Sequence, residues 1–187
     1  ALAELDGEVT ITKEAAKRAW SKSRKLAAPL ELSWRHDDPQ MGRGELQVAL
    51  AYQNLRGSIE SLADEGSGVI DPATAEKPND LMRILAAFKP LDKAGYYTSA
   101  CSSSTTSGGW ENANDSGEAE NGAVFWNGQS HDSSFDAEGD LERPLHLHWR
   151  GDKKVIAAAL RAAGLKIAIP KSEDTTFIVK PSRGRRA

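Results

Sequence analysis

The sequence predicts an α+β fold: N-terminal helices followed by a mixed or antiparallel sheet of about five strands, with one helix inserted before a C-terminal hairpin. Three observations carry this. Apolar residues recur at helical spacing in the first half of the chain, as at Leu46, Leu50 and Ala51 or Leu81, Ile84, Leu85 and Phe88. They alternate with a period of two in the second half, at Leu145, Leu147 and Trp149 and again at Leu165, Ile167 and Ile169. The two patterns are segregated along the chain, which favours α+β over a doubly wound parallel sheet. At 187 residues, with 39% hydrophobic and 27% charged, the chain has the size and composition of one domain, 1–187, with a full core. Residues 1–11 and 182–187 are expected to be flexible.

The elements follow in order. Thr12 is placed to cap a first helix, whose Ala15, Ala16, Ala19, Trp20, Leu26 and Ala27 share a face and which Pro29 stops. Residues 34–44, with Asp37, Asp38, Pro39 and two glycines, read as an irregular connection. Over 45–63 the stripe Leu46, Leu50, Ala51, Leu55, Ile59 and Leu62 predicts a helix of about five turns, with Gly57 costing roughly 1 kcal/mol inside it. Residues 64–78 read as a loop. Asn79 caps a third helix that Pro90 ends near Lys89, leaving a short turn with Leu91 that Gly95 finishes.

Two β-prone runs, 96–101 and 123–127, precede the strand at Leu145, and the stretches 102–122 and 128–142 read as long, polar, acidic loops. On the strand at Leu145, the residues His146, His148 and Arg150 share the other face. Asp152 caps a helix lined by Val155, Ile156, Ala159, Leu160 and Ala163, and Gly164 stops it. The alternation at Leu165–Ile169 and the run 177–179, joined by a turn at 171–174, predict the final hairpin.

Composition narrows the function. The single Cys101 cannot form an internal disulfide, which points to a reducing compartment. Residues 1–12 are acidic and lack the apolar run of a signal peptide, and nothing approaches the ~20 apolar residues of a membrane span, so a cytoplasmic location away from membranes is expected. The mean hydropathy of -0.52 reflects polar loops. The net charge of -3 is unevenly spread: Lys13, Lys17, Arg18, Lys22, Arg24 and Lys25 stand against one acid, Glu14. Residues 101–142 hold nine acids and no Lys or Arg, and the tail is basic again with Lys180, Arg183, Arg185 and Arg186.

The sharpest candidate constellation is Cys101, His131, His146 and His148. His146 and His148 project from one strand face, where zinc with Cys101 or His131 as a further ligand is one reading, although no C-x-x-C pair announces it. The plain alternative is a solvated strand face. Ser99 to Ser107 offers hydroxyls after a strand, but without the G-x-S-x-G elbow they lack a placed base. Asn112, Asn114, Ser116 and Gly117 imitate the opening of a calcium loop, whose twelfth position is here Ala123 instead of Glu. Walker, dinucleotide and H-E-x-x-H motifs are absent. The basic first helix and tail are candidates for phosphate contacts.

Residues 95–104, GYYTSACSSS, resemble the Thr-Ser-Ser-Cys-Ser neighbourhood of the wybutosine-synthesis methyltransferase family, with Thr98 and Cys101 matching its threonine and cysteine. The family continues into Gly-Arg where this chain has Ser103 and Ser104. The likeness covers about a tenth of the chain and implies a methyl donor and a tRNA substrate; the same layout resembles uncharacterised actinobacterial and phage proteins. The expectation from all of these features is a non-catalytic interaction module, meeting a protein partner through a polar sheet face and acidic loops. Its rivals are a metal-dependent or group-transfer enzyme around Cys101 and His146/His148, and a nucleic-acid binder using the basic helix and the tail; Thr98 and Arg150 are further candidate binding residues.

Overall fold

A computed structural model describes residues 8–10, 30–35, 39–52, 57–62, 65–70 and 78–182, with side chains described for 43–52 and 78–182. Five helices are seen among them: α1 (Pro39–Tyr52), α2 (Asp80–Lys93), α3 (Thr106–Asp115), α4 (Gly128–Ser134) and α5 (Lys153–Ala162). A four-stranded antiparallel sheet, in the order β1-β2-β4-β3, is built from β1 (Glu8–Thr10), β2 (Leu30–Arg35), β3 (Gly57–Leu62) and β4 (Glu65–Ile70). A five-stranded mixed sheet follows, in the order β5-β6-β7-β9-β8, from β5 (Tyr96–Ser99), β6 (Gly122–Phe125), β7 (Leu145–Gly151), β8 (Lys166–Ala168) and β9 (Phe177–Lys180). β5 and β6 run parallel and every other pair is antiparallel. The α+β class is as predicted, and so is the C-terminal hairpin. No described helix is long and apolar enough to cross a membrane.

The first helix expected after Thr12 lies outside the described residues. Five expectations are corrected. Residues 34–44 are not an irregular connection throughout, since Trp34 belongs to β2 and α1 begins at Pro39. The helix expected over 45–63 ends at Tyr52, and 57–62 form β3. Gly57, Ser58 and Ser61 favour helix weakly, and two residues further on the chain offers an antiparallel partner, β4, in what was expected to be a loop. The third helix runs through Pro90 to Lys93 because Leu91 is buried in the core, and the N–H of Ala94 closes the turn onto the Pro90 and Leu91 carbonyls. Finally, 102–122 and 128–142 are not loops throughout, for they contain α3 and α4.

The core lies on one face of the five-stranded sheet. Leu145, Leu147 and Trp149 of β7 and Phe177 and Val179 of β9 meet Leu85 and Phe88 of α2 and Ile156 and Leu160 of α5. The caps are as the sequence indicates: the Asn79 side chain accepts from Met82 N–H, and Asp152 from Lys154 N–H. Asn79 begins a buried polar seam. Its Nδ2 donates to the Glu138 carbonyl at 2.7 Å, and Asp80 Oδ2 accepts from the N–H groups of Leu141 at 3.1 Å and Ser182 at 3.3 Å. The turn before β7 and the chain after β9 are thereby fastened to the start of α2.

Candidate functional site

The candidate residues form two groups, one buried and one on the outer face of the sheet. After β5 the chain turns through Cys101, whose φ of 54° lies in the left-handed region. This turn tucks the thiol beneath α1, where Gly44 leaves room: a Cβ there would stand 2.6 Å from Cys101 Sγ and 3.3 Å from the His131 ring. His131, on α4, is fully buried. Its Nε2 donates to Gln47 Oε1 at 2.7 Å and its Nδ1 accepts from Trp126 Nε1 at 3.3 Å, so both ring nitrogens are used by a neutral imidazole. Burial, reinforced by the Arg43 guanidinium, lowers its pKa to about 3.

The network closes around that ring. Gln47 Nε2 donates to the carbonyls of Asp136 and Ala137 at 3.0 and 2.9 Å, while Arg43 pairs with Asp132 at 3.1 Å and donates to the Phe135 carbonyl at 2.9 Å. Burial pushes the Cys101 thiol far up, with Asp132 and Glu45 adding to it, so the sulfur stays protonated at neutral pH. A protonated thiol under a helix, beside an imidazole held by two partners, is a structural centre and not an activated nucleophile.

The second group stands on the outer face. Register alternates side chains along β7, so His146, His148 and Arg150 point away from the core that Leu145, Leu147 and Trp149 enter. His148 stacks on Phe125, its cross-strand partner on β6, at a centroid distance of 5.4 Å. α3 covers this part of the face. Trp110 meets Phe125 edge-on at 4.9 Å, and Arg150 lies 5.7 Å over the Trp110 ring and reaches Asn114 Oδ1 at 3.3 Å. Gly108 and Gly109 permit this close seating, since a Cβ on Gly109 would strike the Phe125 ring and Ser102 Oγ.

Thr106, in the first turn of α3, ties the helix to the sheet. Its hydroxyl lies 3.2 Å from His148 Nε2 and accepts from Asn127 Nδ2 at 2.9 Å. Burial, with His146 nearby, lowers the His148 pKa, so the imidazole that shares this hydrogen bond with Thr106 is favoured in its neutral form. His146 is exposed, and its Nδ1 lies 2.8 Å from Thr176 Oγ1. Beyond α3, among the described residues, none is seen over β7, β9 and β8, and His146, Lys166 and Lys180 are exposed there.

Cys101, His131, His146 and His148 therefore do not converge. Phe125 and Trp126 are consecutive and face opposite ways, Phe125 carrying His148 and Trp126 carrying His131, so the sheet itself separates the two groups. Zinc shared by Cys101, His146 and His148 is ruled out by this placement, and among the described residues no three His, Cys, Asp or Glu side chains are grouped to hold a metal. Thr98 lies on the core side, hydrogen-bonded to Asp92 of α2. Lys13, Lys17, Arg18, Lys22, Arg24, Lys25 and the terminal arginines lie outside the described residues. The buried polar residues Gln47, Asn79, Asp80 and Asp140 carry much of the architecture. Of these only Asn79 was legible, although Gln47 sits within the stripe of Leu46, Leu50 and Ala51, where a polar residue signals a buried partner.

Compared with protein-family models, curated proteins and solved structures, the chain finds no match. No activity is therefore inherited from a relative.

Proposed function

We propose that this chain is a non-catalytic binding module whose contact surface is the open part of the outer sheet face, over β7, β9 and β8. One observation supports the reading above others. The inner face is filled by α2 and α5, whereas the outer face carries exposed His146, Lys166 and Lys180 around a half-buried Ile178. Cys101, the strongest candidate nucleophile, lies buried on the far side.

A photo-cross-linking residue at Ile178 tests this, with one at Ala158, exposed on α5, as control. Irradiation in cells is expected to give a discrete adduct from position 178 and none from 158, unchanged by Cys101→Ala. Adducts from 158 alone, or from neither position, would remove the sheet face as the contact surface.

A further inference from the structure

The open face has a charge pattern that its fold alone does not explain. In the β8–β9 register Lys166 lies directly opposite Lys180, on the same face as Ile178, His146 and Arg150. Like charges directly opposite on a strand pair are destabilising, with Cβ atoms only about 4.5–5.5 Å apart. No strand position on this face offers a carboxylate in compensation: the others are Tyr97, Ser99, Ala123, Phe125, His148 and Ala168. Among the described residues, Lys166 Nζ reaches a backbone carbonyl, that of Ser182, at 3.4 Å.

The setting extends the pattern. From residue 143 to the end, the sequence carries eleven Lys and Arg against three acids, and three of the arginines, Arg183, Arg185 and Arg186, follow closely on β9. The acids of α3, Glu111 and Asp115, belong to the half of the face that α3 covers, over Phe125. What remains is a lane about three strands wide, roughly 10–15 Å, with α3 as a wall. Along β7 its polar side chains repeat every two residues, or about 6.8 Å, and they include the flat imidazole of His146.

We infer that this lane binds single-stranded nucleic acid, with Lys166 and Lys180 on its phosphates, Arg150 on a phosphate at the α3 wall, and His146 and Ile178 beneath its bases. The inference rests on the proposed function and names the partner. A protein partner fits less well, because protein interfaces are depleted in lysine at their centre and rely on aromatic or large apolar anchors, and here Ile178 is the one large aliphatic residue at the outward-facing strand positions of the lane. A duplex fits less well too, because a major groove about 12 Å wide admits a two-stranded ribbon and not three strands beside a helix. A single strand offers a charge at each phosphate and a flat face at each base, and needs no groove.

The test uses the full chain with fluorescein-labelled oligo(dT) and oligo(U), read by anisotropy across a salt series. Binding to either oligonucleotide is expected at low ionic strength, with log K falling linearly in log salt at a slope of about -2 to -4, as for three to five phosphate contacts. Lys166→Ala with Lys180→Ala is expected to flatten that slope by about 1.4. Lys166→Glu with Lys180→Glu is expected to lower affinity at least tenfold, while Lys153→Glu with Lys154→Glu, the same charge change on α5, is expected to lower it less than threefold. Equal losses in the two charge-reversed proteins, or no affinity for either oligonucleotide at low salt, would overturn the inference. In the second case an Ile178 adduct to a protein would leave the binding-module reading standing, and so would salt-sensitive self-association lost in Lys166→Glu/Lys180→Glu. Absence of any Ile178 adduct would remove both.

Discussion

Gly44 and Cys101 show how closely the interior is set by single atoms. The Cys101 backbone adopts a conformation that side chains other than glycine rarely take, and the sulfur so placed occupies the space a side chain on Gly44 would need. Gly44→Ala drives a methyl into Sγ and against the His131 ring, and overpacking of this kind costs about 1–3 kcal/mol. Cys101→Ala removes the sulfur, so the double variant is expected to be more stable than the sum of the single losses predicts. Urea denaturation of the four proteins measures the coupling; strict additivity would mean that Gly44 and Cys101 do not share this space. The same burial predicts that Cys101 resists thiol reagents in the native protein and is labelled only as fast as the fold opens.

The elements are held by polar fastenings as much as by the apolar core. Asp80→Ala leaves the N–H groups of Leu141 and Ser182 without their acceptor; at about 1–3 kcal/mol per orphaned group, a loss of roughly 2–5 kcal/mol is expected in thermal or chemical melts, and a loss below 1 kcal/mol would contradict the seam's importance. α3 is fastened differently, by the absence of side chains at Gly108 and Gly109. Gly109→Val is expected to lift α3 off Phe125, raising amide exchange across 106–115 while β7 stays protected. α5 was legible in the sequence because cap, apolar stripe and glycine stop agree, and α2 was legible from its cap and stripe as far as Lys89, where Pro90 falsely signals an end. α3 was not, since only Gly109 and Ala113 of it are buried and a nearly all-polar helix leaves no periodicity to read. β3 and β4 escaped notice because their glycines and serines blur alternation, and their partners, not their composition, make them strands. The outer face was half legible: His146, His148 and Arg150 alternate locally, but the pairing of Lys166 with Lys180 depends on a register between strands that no local pattern states.

Across the whole molecule, His131, together with Arg43 and Gln47, joins α1, which leads into β3, to the end of β6 with α4. Its folded pKa of about 3 against 6.5 in the unfolded chain fixes the sign of a pH effect. Between those values the unfolded state binds a proton that the folded state refuses, so the stability present above pH 6.5 is progressively lost as pH falls toward 3. Protonation puts a proton on Nδ1, which faces the Trp126 N–H, and sets a positive charge near Arg43. His148 contributes in the same direction, less strongly because it is half exposed, while Asp136, whose pKa burial raises, works in the opposite direction. Acid is therefore expected to loosen α1 and α4 before the sheet. Amide protection factors across 43–52 and 128–135 should fall at a higher pH than those of 145–151 and 177–180. His131→Phe keeps an aromatic ring in place but cannot titrate, and is expected to flatten the stability slope between pH 6.5 and 3 even if it lowers stability at pH 7. An unchanged slope in that variant would show that the acid sensitivity resides in other groups and not in the buried imidazole.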